Sequence, residues 1–244
     1  SGKIIGEIKQ VDIYKNGRQQ MMFRTNEKLY VLDRNGNEVK QLSFPINSNF
    51  SNIPISIFDY EKNRNYRFLI SVDNKINMYD SNGKIVSGFK PPIFESKIIN
   101  NPVHIRINGK DYILVQLEDG SLKILDRRGR DRIIVDNKIQ YSGNSIYSYL
   151  EQFTTTDKLG NLIKIDTKGN LIKENINLSV ENFIDIVDNN IVYLNENRLT
   201  IKGINVELPF SKFSKPKIFI DSKTTLVSIT DLTNNEIYLY RDNG

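Results

Sequence analysis

Residues 28–36 read Lys-Leu-Tyr-Val-Leu-Asp-Arg-Asn-Gly, and this pattern recurs through the whole chain. It joins a short strand of alternating apolar residues to an Asp-x-x-Gly turn, and a second apolar stretch follows. Three further copies keep both the Asp and the Gly: KINMYDSNG (75–83), SLKILDRRG (121–129) and NLIKIDTKG (161–169). Two weaker copies lack the Asp at the first turn position: RLTIKG (198–203) and EIYLYRDNG (236–244).

The turn in this unit is defined by an Asp at its first position and a Gly at its fourth. Asp33 can accept hydrogen bonds from backbone N–H groups further along the turn. Gly36 can take a positive φ without the clash that a Cβ would cause. A second predicted turn precedes each copy, such as Asn26-Glu27 before the first, and most of these residue pairs are turn formers. Each unit is therefore predicted to be the third and fourth strands of an antiparallel meander.

Two more strands are predicted upstream of the repeated unit, at residues 54–58 and 66–72 before the second copy and at 103–107 and 112–117 before the third. Four short strands in about 40 residues are typical of a propeller blade. Six such units fill the 244 residues. The sequence therefore predicts an all-β fold, a six-bladed β-propeller of four-stranded antiparallel blades that forms one domain over residues 1–244. A pair of β-sandwiches is the alternative, although it does not require six similar units.

The N-terminal residues indicate how the ring could close. The last unit stops at Gly244, before its fourth strand, whereas residues 2–5 match residues 83–86, which follow the turn of the second copy. We therefore expect residues 3–8 to pair with the strand at 236–241 and to complete the last blade, which would remove an exposed sheet edge. Because the chain starts without Met or a signal segment, we also expect it to be a processed product or a fragment of a larger protein.

Composition excludes several kinds of chemistry. The chain has no Cys, which excludes a disulfide, a thiolate metal site and a thiol nucleophile. Because His104 is the only His in the sequence, a zinc site with several His ligands is excluded. The formal charge of +5 is spread along the chain, unlike the clustered charge of nucleic-acid binders, and no apolar run of about 18 residues is present. We therefore expect no cofactor, no nucleic-acid partner and no membrane span.

The repeated strand, Asp-x-x-Gly turn and short strand resemble the blades of bacterial PQQ-like and YVTN/WD40-like β-propellers. No copy carries the Trp that follows the turn in the PQQ type, so the resemblance does not extend to docking of a quinone cofactor. Residues 54–132 look more closely like the C-terminal propellers of large bacterial cell-envelope proteins, through residues 59–67, 108–112 and 125–129. This resemblance implies a periplasmic or cell-envelope module for binding or assembly, with no known active site.

Polar residues near the predicted central channel are the candidates for a binding site. Aligning the first three units on their upstream turns makes three residues equivalent: Asp12, Asp59 and His104. They could form a ring of ligands for a cation or a small polar molecule. Alternatively, each could accept hydrogen bonds from its own turn, and repetition at equivalent positions favours this structural interpretation. A calcium site like that of six-bladed hydrolases would draw on Asp12, Asp59, Asn182 and Asp185, but nothing in the sequence selects them.

The densest basic cluster is Arg-Arg-Gly-Arg-Asp-Arg at residues 127–132. It could be a patch for an anionic partner, but a solvated turn whose charge is partly offset by Asp126 and Asp131 is favoured. Four aromatic residues lie in a stretch with weak repeat character and are expected to be buried between blades rather than to line a binding loop: Tyr141, Tyr147, Tyr149 and Phe153.

The function predicted from these features is a non-catalytic protein-interaction or scaffolding propeller, a monomeric domain within a larger chain. Its turns, presented on a rigid ring, would contact a protein partner. No catalytic residue and no metal ligand is predicted. Two other classes remain open: a calcium-dependent hydrolase or lactonase with its site in the channel, and a sensor propeller that binds a small ligand there.

Overall fold

The computed structural model describes residues 2–40, 42–45, 53–221 and 224–241. In these ranges the regular structure consists of 22 strands in six antiparallel sheets, and none of the described residues lies in a helix. The all-β prediction is confirmed. All six repeated units place a strand where the alternating apolar pattern predicted one, starting with Lys28–Leu32 in the first copy and ending with Glu236–Arg241 in the last.

The chain forms two compact units, and the first comprises residues 1–105 and 110–134. It carries the first two sheets and most of the third. The first sheet contains β1 (Ile5–Val11), β2 (Gln20–Arg24), β3 (Lys28–Leu32) and β4 (Phe44–Pro45). The second contains β5 (Ser56–Phe58), β6 (Arg67–Val72) and β7 (Lys75–Tyr79). The third contains β8 (Val103–Ile107), β9 (Lys110–Gln116), β10 (Leu122–Leu125) and β11 (Asp131–Ile133).

The second unit comprises residues 106–109 and 135–244 and carries the last three sheets. The fourth sheet contains β12 (Tyr147–Tyr149), β13 (Gln152–Thr156), β14 (Asn161–Ile165) and β15 (Leu171–Asn175). The fifth contains β16 (Asn182–Val187), β17 (Asn190–Asn195), β18 (Arg198–Ile201) and β19 (Ile204–Glu207). The sixth contains β20 (Lys217–Asp221), β21 (Thr224–Asp231) and β22 (Glu236–Arg241). The prediction of a single domain stays a prediction.

The core of the first unit lies on both faces of the second sheet. Side chains alternate along a strand, so β6 sends Phe68 and Ile70 to one face and Leu69 to the other. Phe68 and Ile70 pack with Met22, Val31 and other residues of the first sheet, while Leu69 packs in a cluster with residues of the third. Burial on both faces explains why β6 carries three consecutive apolar residues, Phe68 to Ile70, rather than an alternating pattern.

The core of the second unit includes one cluster shared by the fifth and sixth sheets. Leu194 and Leu199 contribute from the fifth sheet, and Val227 and Ile229 contribute from the sixth. The aromatic residues of the stretch with weak repeat character divide into two groups. Tyr141 and Phe153 are buried, whereas Tyr147 and Tyr149 are half-buried.

The Asp-x-x-Gly turns have the predicted geometry. The Asp33 carboxylate accepts hydrogen bonds from the N–H groups of Asn35 and Asn37, both at 2.8 Å, and the bond from Asn37 contributes most to lowering the pKa of this carboxyl. The Gly36 N–H donates to the Asp33 carbonyl at 3.0 Å, and Gly36 has a φ of +82°. The same backbone bonds form at Asp80, Asp126 and Asp166.

The predicted pairing of the N-terminal residues with the last strand is not confirmed. β1 pairs with β2 and belongs to the first sheet, with Val11 opposite Gln20. The two strands form a local hairpin around the turn that starts at Asp12. Such a hairpin closes a loop of a few residues, whereas pairing with residues 236–241 would close a loop of more than 200 residues, at a higher entropic cost.

Candidate functional site

Two of the predicted site residues, Asp12 and Asp59, act on their own turns. Asp12 accepts hydrogen bonds from the N–H groups of Asn16 (3.0 Å) and Gly17 (2.8 Å). Asp59 does the same in the next sheet, with donors at 3.1 Å and 2.8 Å from the N–H groups at positions 63 and 64. The Arg64 guanidinium also lies 2.9 Å from the Asp12 carboxylate and joins the two turns. These contacts support the structural interpretation, and a role as channel ligands stays a prediction.

The third predicted residue, His104, lies within β8 rather than in a turn. The hairpin here turns on only two residues, Asn108 and Gly109, which both have positive φ, so the alignment with the longer turns at Asp12 and Asp59 does not hold. The two-residue turn itself is a signal in the sequence, because it places positions 104 and 113 opposite each other. Position 111 is then a diagonal neighbour of position 104 on the same face.

His104 belongs to a polar network that the sequence analysis missed. Its Nε2 lies 2.7 Å from Oδ1 of Asp111, and Nη2 of Arg127 lies 2.6 Å from the other carboxylate oxygen. Arg127 also donates to Glu61 at 2.5 Å and stacks over the Tyr60 ring, 4.4 Å from its centroid. Burial raises the pKa of the Tyr60 hydroxyl. Burial opposes the charge on Arg127, but the carboxylates of Glu61 and Asp111 raise its pKa. The network connects three chain segments of the first unit.

The calcium candidates of the second unit also have protein partners. Asp185 accepts a hydrogen bond from the Ile218 N–H at 2.7 Å. Asn182 accepts one from the Thr156 hydroxyl at 2.8 Å and donates to the Ser179 carbonyl. In the described part of the chain, no three His, Asp or Glu side chains are grouped so that they could hold a metal ion.

The basic cluster at 127–132 is largely engaged within the first unit. Arg127 forms the network above, and Arg130 lies 2.7 Å from the Asp126 carboxylate. Arg132 stacks over the ring of Tyr112, 5.4 Å from its centroid. These contacts agree with the interpretation of the cluster as a turn with partly offset charge.

A groove in the second unit is the strongest candidate for a docking site, and the sequence analysis did not single it out. It has a volume of about 500 Å³, and Phe183, Leu194 and Phe213 line it with apolar surface. Phe210 stands at its edge with 95% of its surface exposed. An exposed aromatic ring beside an apolar depression is typical of an interaction site.

The segment that carries Phe210 is held on both sides. Before it, Leu208 donates from its N–H to the Asn197 carbonyl at 2.8 Å. After it, the Ser211 hydroxyl donates to the buried carboxylate of Asp231, and the Lys212 carbonyl accepts from the Leu232 N–H at 2.8 Å. The ring is therefore exposed on an anchored segment, which reduces the entropy lost when a partner binds it. The signal in the sequence is an aromatic residue after Pro209 between two strand patterns.

The charges at the groove are mainly negative. Glu181 and Glu196 line it, and no cation in the described residues lies within ion-pair distance of either carboxylate. Lys212 is the basic residue of the lining. The groove therefore offers an apolar surface with two carboxylates that have no ion-pair contact among the described residues, although the charge of Arg198 lies close enough to Glu196 to interact with it.

Lowering the pH should weaken the hydrogen bond between Ser211 and Asp231 that holds this segment. The Ser211 hydroxyl, and then the N–H groups of residues 234 and 233, lower the pKa of Asp231 from 3.8 to about 2. Because the folded state binds this proton less readily than the unfolded state, the stabilisation is present above pH 3.8 and is lost as the pH falls towards 2. Asp231→Asn should therefore be less stable than the wild type at pH 5, and the difference in free energy of unfolding should shrink between pH 4 and 2, measured by urea unfolding. A constant difference over that range would contradict the assignment.

None of the described residues forms a helix long and apolar enough to cross a membrane. No protein-family model matches the chain, and no curated protein sequence matches it. Solved structures match over most of its length. Two crystal structures of BBS1N in complex with ARL6DN have TM-scores of 0.66 and 0.71, at 13% and 11% identity, and cover 98% and 99% of this chain and 78% and 79% of theirs. These neighbours are β-propeller-like proteins.

The fold of this chain is β-propeller-like. BamB from Moraxella catarrhalis matches with a TM-score of 0.58 at 10% identity, over 90% of this chain and 66% of its own. PorZ from Porphyromonas gingivalis, described as an essential surface component of the type-IX secretion system, matches with a TM-score of 0.54 at 12% identity, over 98% of this chain and 34% of its own. The coarse fold prediction is confirmed, and a likeness at identities this low shows the fold alone.

Proposed function

We propose that the chain is a non-catalytic protein-interaction module whose Phe210 groove docks a protein partner. The observation that carries the proposal is a fully exposed Phe on an anchored segment beside an apolar groove. Aromatic side chains, Phe among them, are enriched at protein interfaces relative to the rest of the surface. The proposal is also supported by a propeller-like neighbour, BBS1N, which is solved in complex with another protein, ARL6DN.

The six sheets are the blades of one six-bladed propeller in this proposal. The support is the recurrence of the same meander in each sheet, together with single propeller-like chains that match 98% and 99% of this sequence. The module acts as a rigid support on which the connecting segments are displayed. It functions as one domain and as a monomer within a larger protein of the bacterial cell envelope, a location supported by the likeness to BamB and PorZ.

The partner presents an apolar side chain next to a Lys or Arg. The apolar side chain fills the groove against Phe210 and Phe183, and the cation pairs with Glu181 or Glu196. An ion pair at the rim of such an interface mainly affects the association rate and its salt dependence, while the buried apolar contact supplies most of the affinity.

The test compares two exposed phenylalanines of the second unit. Phe210→Ser should weaken binding of the protein that co-purifies from the source cells by about 30-fold, the value for a loss of about 2 kcal/mol at an interface anchor. Phe219, in β20, is 56% exposed and lies outside the groove, so Phe219→Ser is the matched control and should bind like the wild type. Equal binding of all three proteins, or equal loss in both variants, would contradict the proposal.

A further inference from the structure

Five turns of the first unit lie together at one end of its three sheets. Because antiparallel strands alternate in direction, the turns after the first and the third strand of a meander lie at the same end. In the first unit these turns are residues 12–19, 33–37, 59–66, 80–84 and 126–130. Turns of neighbouring sheets contact each other there, since Lys15 donates to the Asn65 side chain at 2.5 Å and Arg127 lies 2.5 Å from the Glu61 carboxylate. The five turns therefore form one surface.

This surface, the basic face, exposes mainly positive charge. Its turns contain nine Lys or Arg residues and six Asp or Glu residues. The Asp that begins each turn accepts hydrogen bonds from backbone N–H groups of the same turn and is buried or half-buried. Five exposed cations have no carboxylate of the described residues within ion-pair distance: Lys15, Arg18, Lys62, Lys84 and Arg128. The fold therefore gathers cations that are far apart in the sequence.

The opposite end of the first unit is acidic. It comprises the turns after the second strands, at residues 25–27, 73–74 and 117–121, and the segment 94–97, whose first N–H bonds to the Asn74 carbonyl. These stretches contain one cation, Lys97, and five acidic residues: Glu27, Asp73, Glu95, Glu118 and Asp119. Three of the acidic residues line a single depression: Asp73, Glu95 and Glu118. The first unit is therefore electrically polarised between its two ends.

Two exposed apolar side chains accompany the cations of the basic face. Tyr14, in the first turn, is 52% exposed, and Ile85, directly after the turn at 80–84, is 67% exposed. A Tyr side chain favours the boundary between a membrane and water, because its ring is apolar and its hydroxyl is polar. The five cations come from turns of all three sheets, and such a distribution suits a broad negative surface better than one small anion.

We infer that the basic face of the first unit binds an anionic lipid surface. The lipid headgroups attract the exposed cations, and Tyr14 and Ile85 insert between the headgroups. The acidic end points away from the negative surface, which fixes the orientation of the unit. This attraction falls off within a Debye length, about 8 Å at physiological ionic strength, so the cations of the contacting face supply it. The inference rests on residues of the first unit and is independent of the Phe210 groove in the second.

The experiment measures co-sedimentation of the chain with vesicles of phosphatidylcholine, either alone or mixed with phosphatidylglycerol. The wild type should bind only the anionic vesicles and should dissociate as the salt concentration rises. Lys62→Gln with Lys84→Gln should bind about 25-fold more weakly, because each cation near an anionic surface contributes about 5-fold. Lys3→Gln with Lys97→Gln is the matched control and should bind like the wild type. It removes the same charge at the acidic end, where Gly2 lies beside Thr25 and the Lys97 carbonyl bonds to Glu118.

A further variant tests the apolar part of the contact. Tyr14→Ser leaves the charge unchanged and should bind the anionic vesicles about 5-fold more weakly. Equal binding of both vesicle types, no binding of the anionic vesicles, equal losses in the two double variants, or unchanged binding of Tyr14→Ser would each overturn the inference. So would tighter binding of poly-L-glutamate or of a DNA duplex at the same concentration of negative charge, since the occupant would then be an acidic protein segment or a nucleic acid. Phe210→Ser should bind the vesicles like the wild type, so failure at the groove and failure at the basic face are separately visible.

Discussion

Replacing Gly129 by Ala should lower the free energy of unfolding by about 4 kcal/mol. Gly129 has a φ of +79°, which costs an L-residue about 1–2 kcal/mol. In addition, a Cβ at this position would lie 2.5 Å from the Lys90 carbonyl oxygen and 3.1 Å from the Phe89 ring. Both neighbours are constrained, because the Lys90 N–H bonds to the Arg128 carbonyl at 3.0 Å and Phe89 belongs to the core. Relief of the overlap therefore adds about 1–3 kcal/mol.

Gly36 provides the matched control for this prediction. It occupies the same turn position with a φ of +82°, and a Cβ there would meet nothing within 4 Å. Gly36→Ala should therefore cost only the backbone term, about 1–2 kcal/mol. Urea unfolding of the two variants separates the backbone cost from the packing cost. Equal losses of stability would mean that the segment carrying Lys90 moves away without penalty.

This pair also shows what the sequence could and could not predict. The residue types in the four Asp-x-x-Gly turns predict the hydrogen bonds at Asp33 and its equivalents, because each bond joins residues that lie within five positions of each other in the sequence. The contact between Gly129 and Lys90 joins residues almost 40 positions apart and depends on how one segment packs on another. Alternation of apolar residues likewise predicts the strands, since burial of one face follows directly from a period of two.

The expectations that the structure does not confirm have the same origin. The sequence similarity between residues 2–5 and residues 83–86 suggested that the N-terminal strand pairs with the last strand of the chain. The observed hairpin of β1 and β2 closes a far shorter loop. The alignment of His104 with two Asp residues ignored the length of its turn, and so the Asp111 partner was missed. Phe210 belongs to no sequence motif. Its importance depends on exposure and on the bonds that hold its segment, which are tertiary properties.

Asn144 should be the most sensitive polar residue of the second unit. It is buried, and its amide nitrogen donates to the Thr156 hydroxyl at 2.7 Å and to the Asn182 carbonyl at 3.0 Å. Its amide oxygen accepts from the Ile184 N–H at 3.3 Å. Asn144→Leu keeps a similar volume but leaves the Asn182 carbonyl and the Ile184 N–H without this partner in a site closed to water. We expect a loss of about 3 kcal/mol, because each buried group left unsatisfied costs about 1–3 kcal/mol.

A double-mutant cycle with Thr156→Val tests whether the loss comes from hydrogen bonds rather than from packing. Both single variants lose the hydrogen bond from the Asn144 amide to the Thr156 hydroxyl, so the double variant should lose less stability than the sum of the single variants. Asn205→Leu is the control for the substitution itself. Asn205 is exposed and accepts a single bond from the Thr200 hydroxyl, so its replacement should change stability by about 0.5 kcal/mol or less. Strict additivity in the cycle would contradict the assignment of the loss to the hydrogen bond between the two side chains.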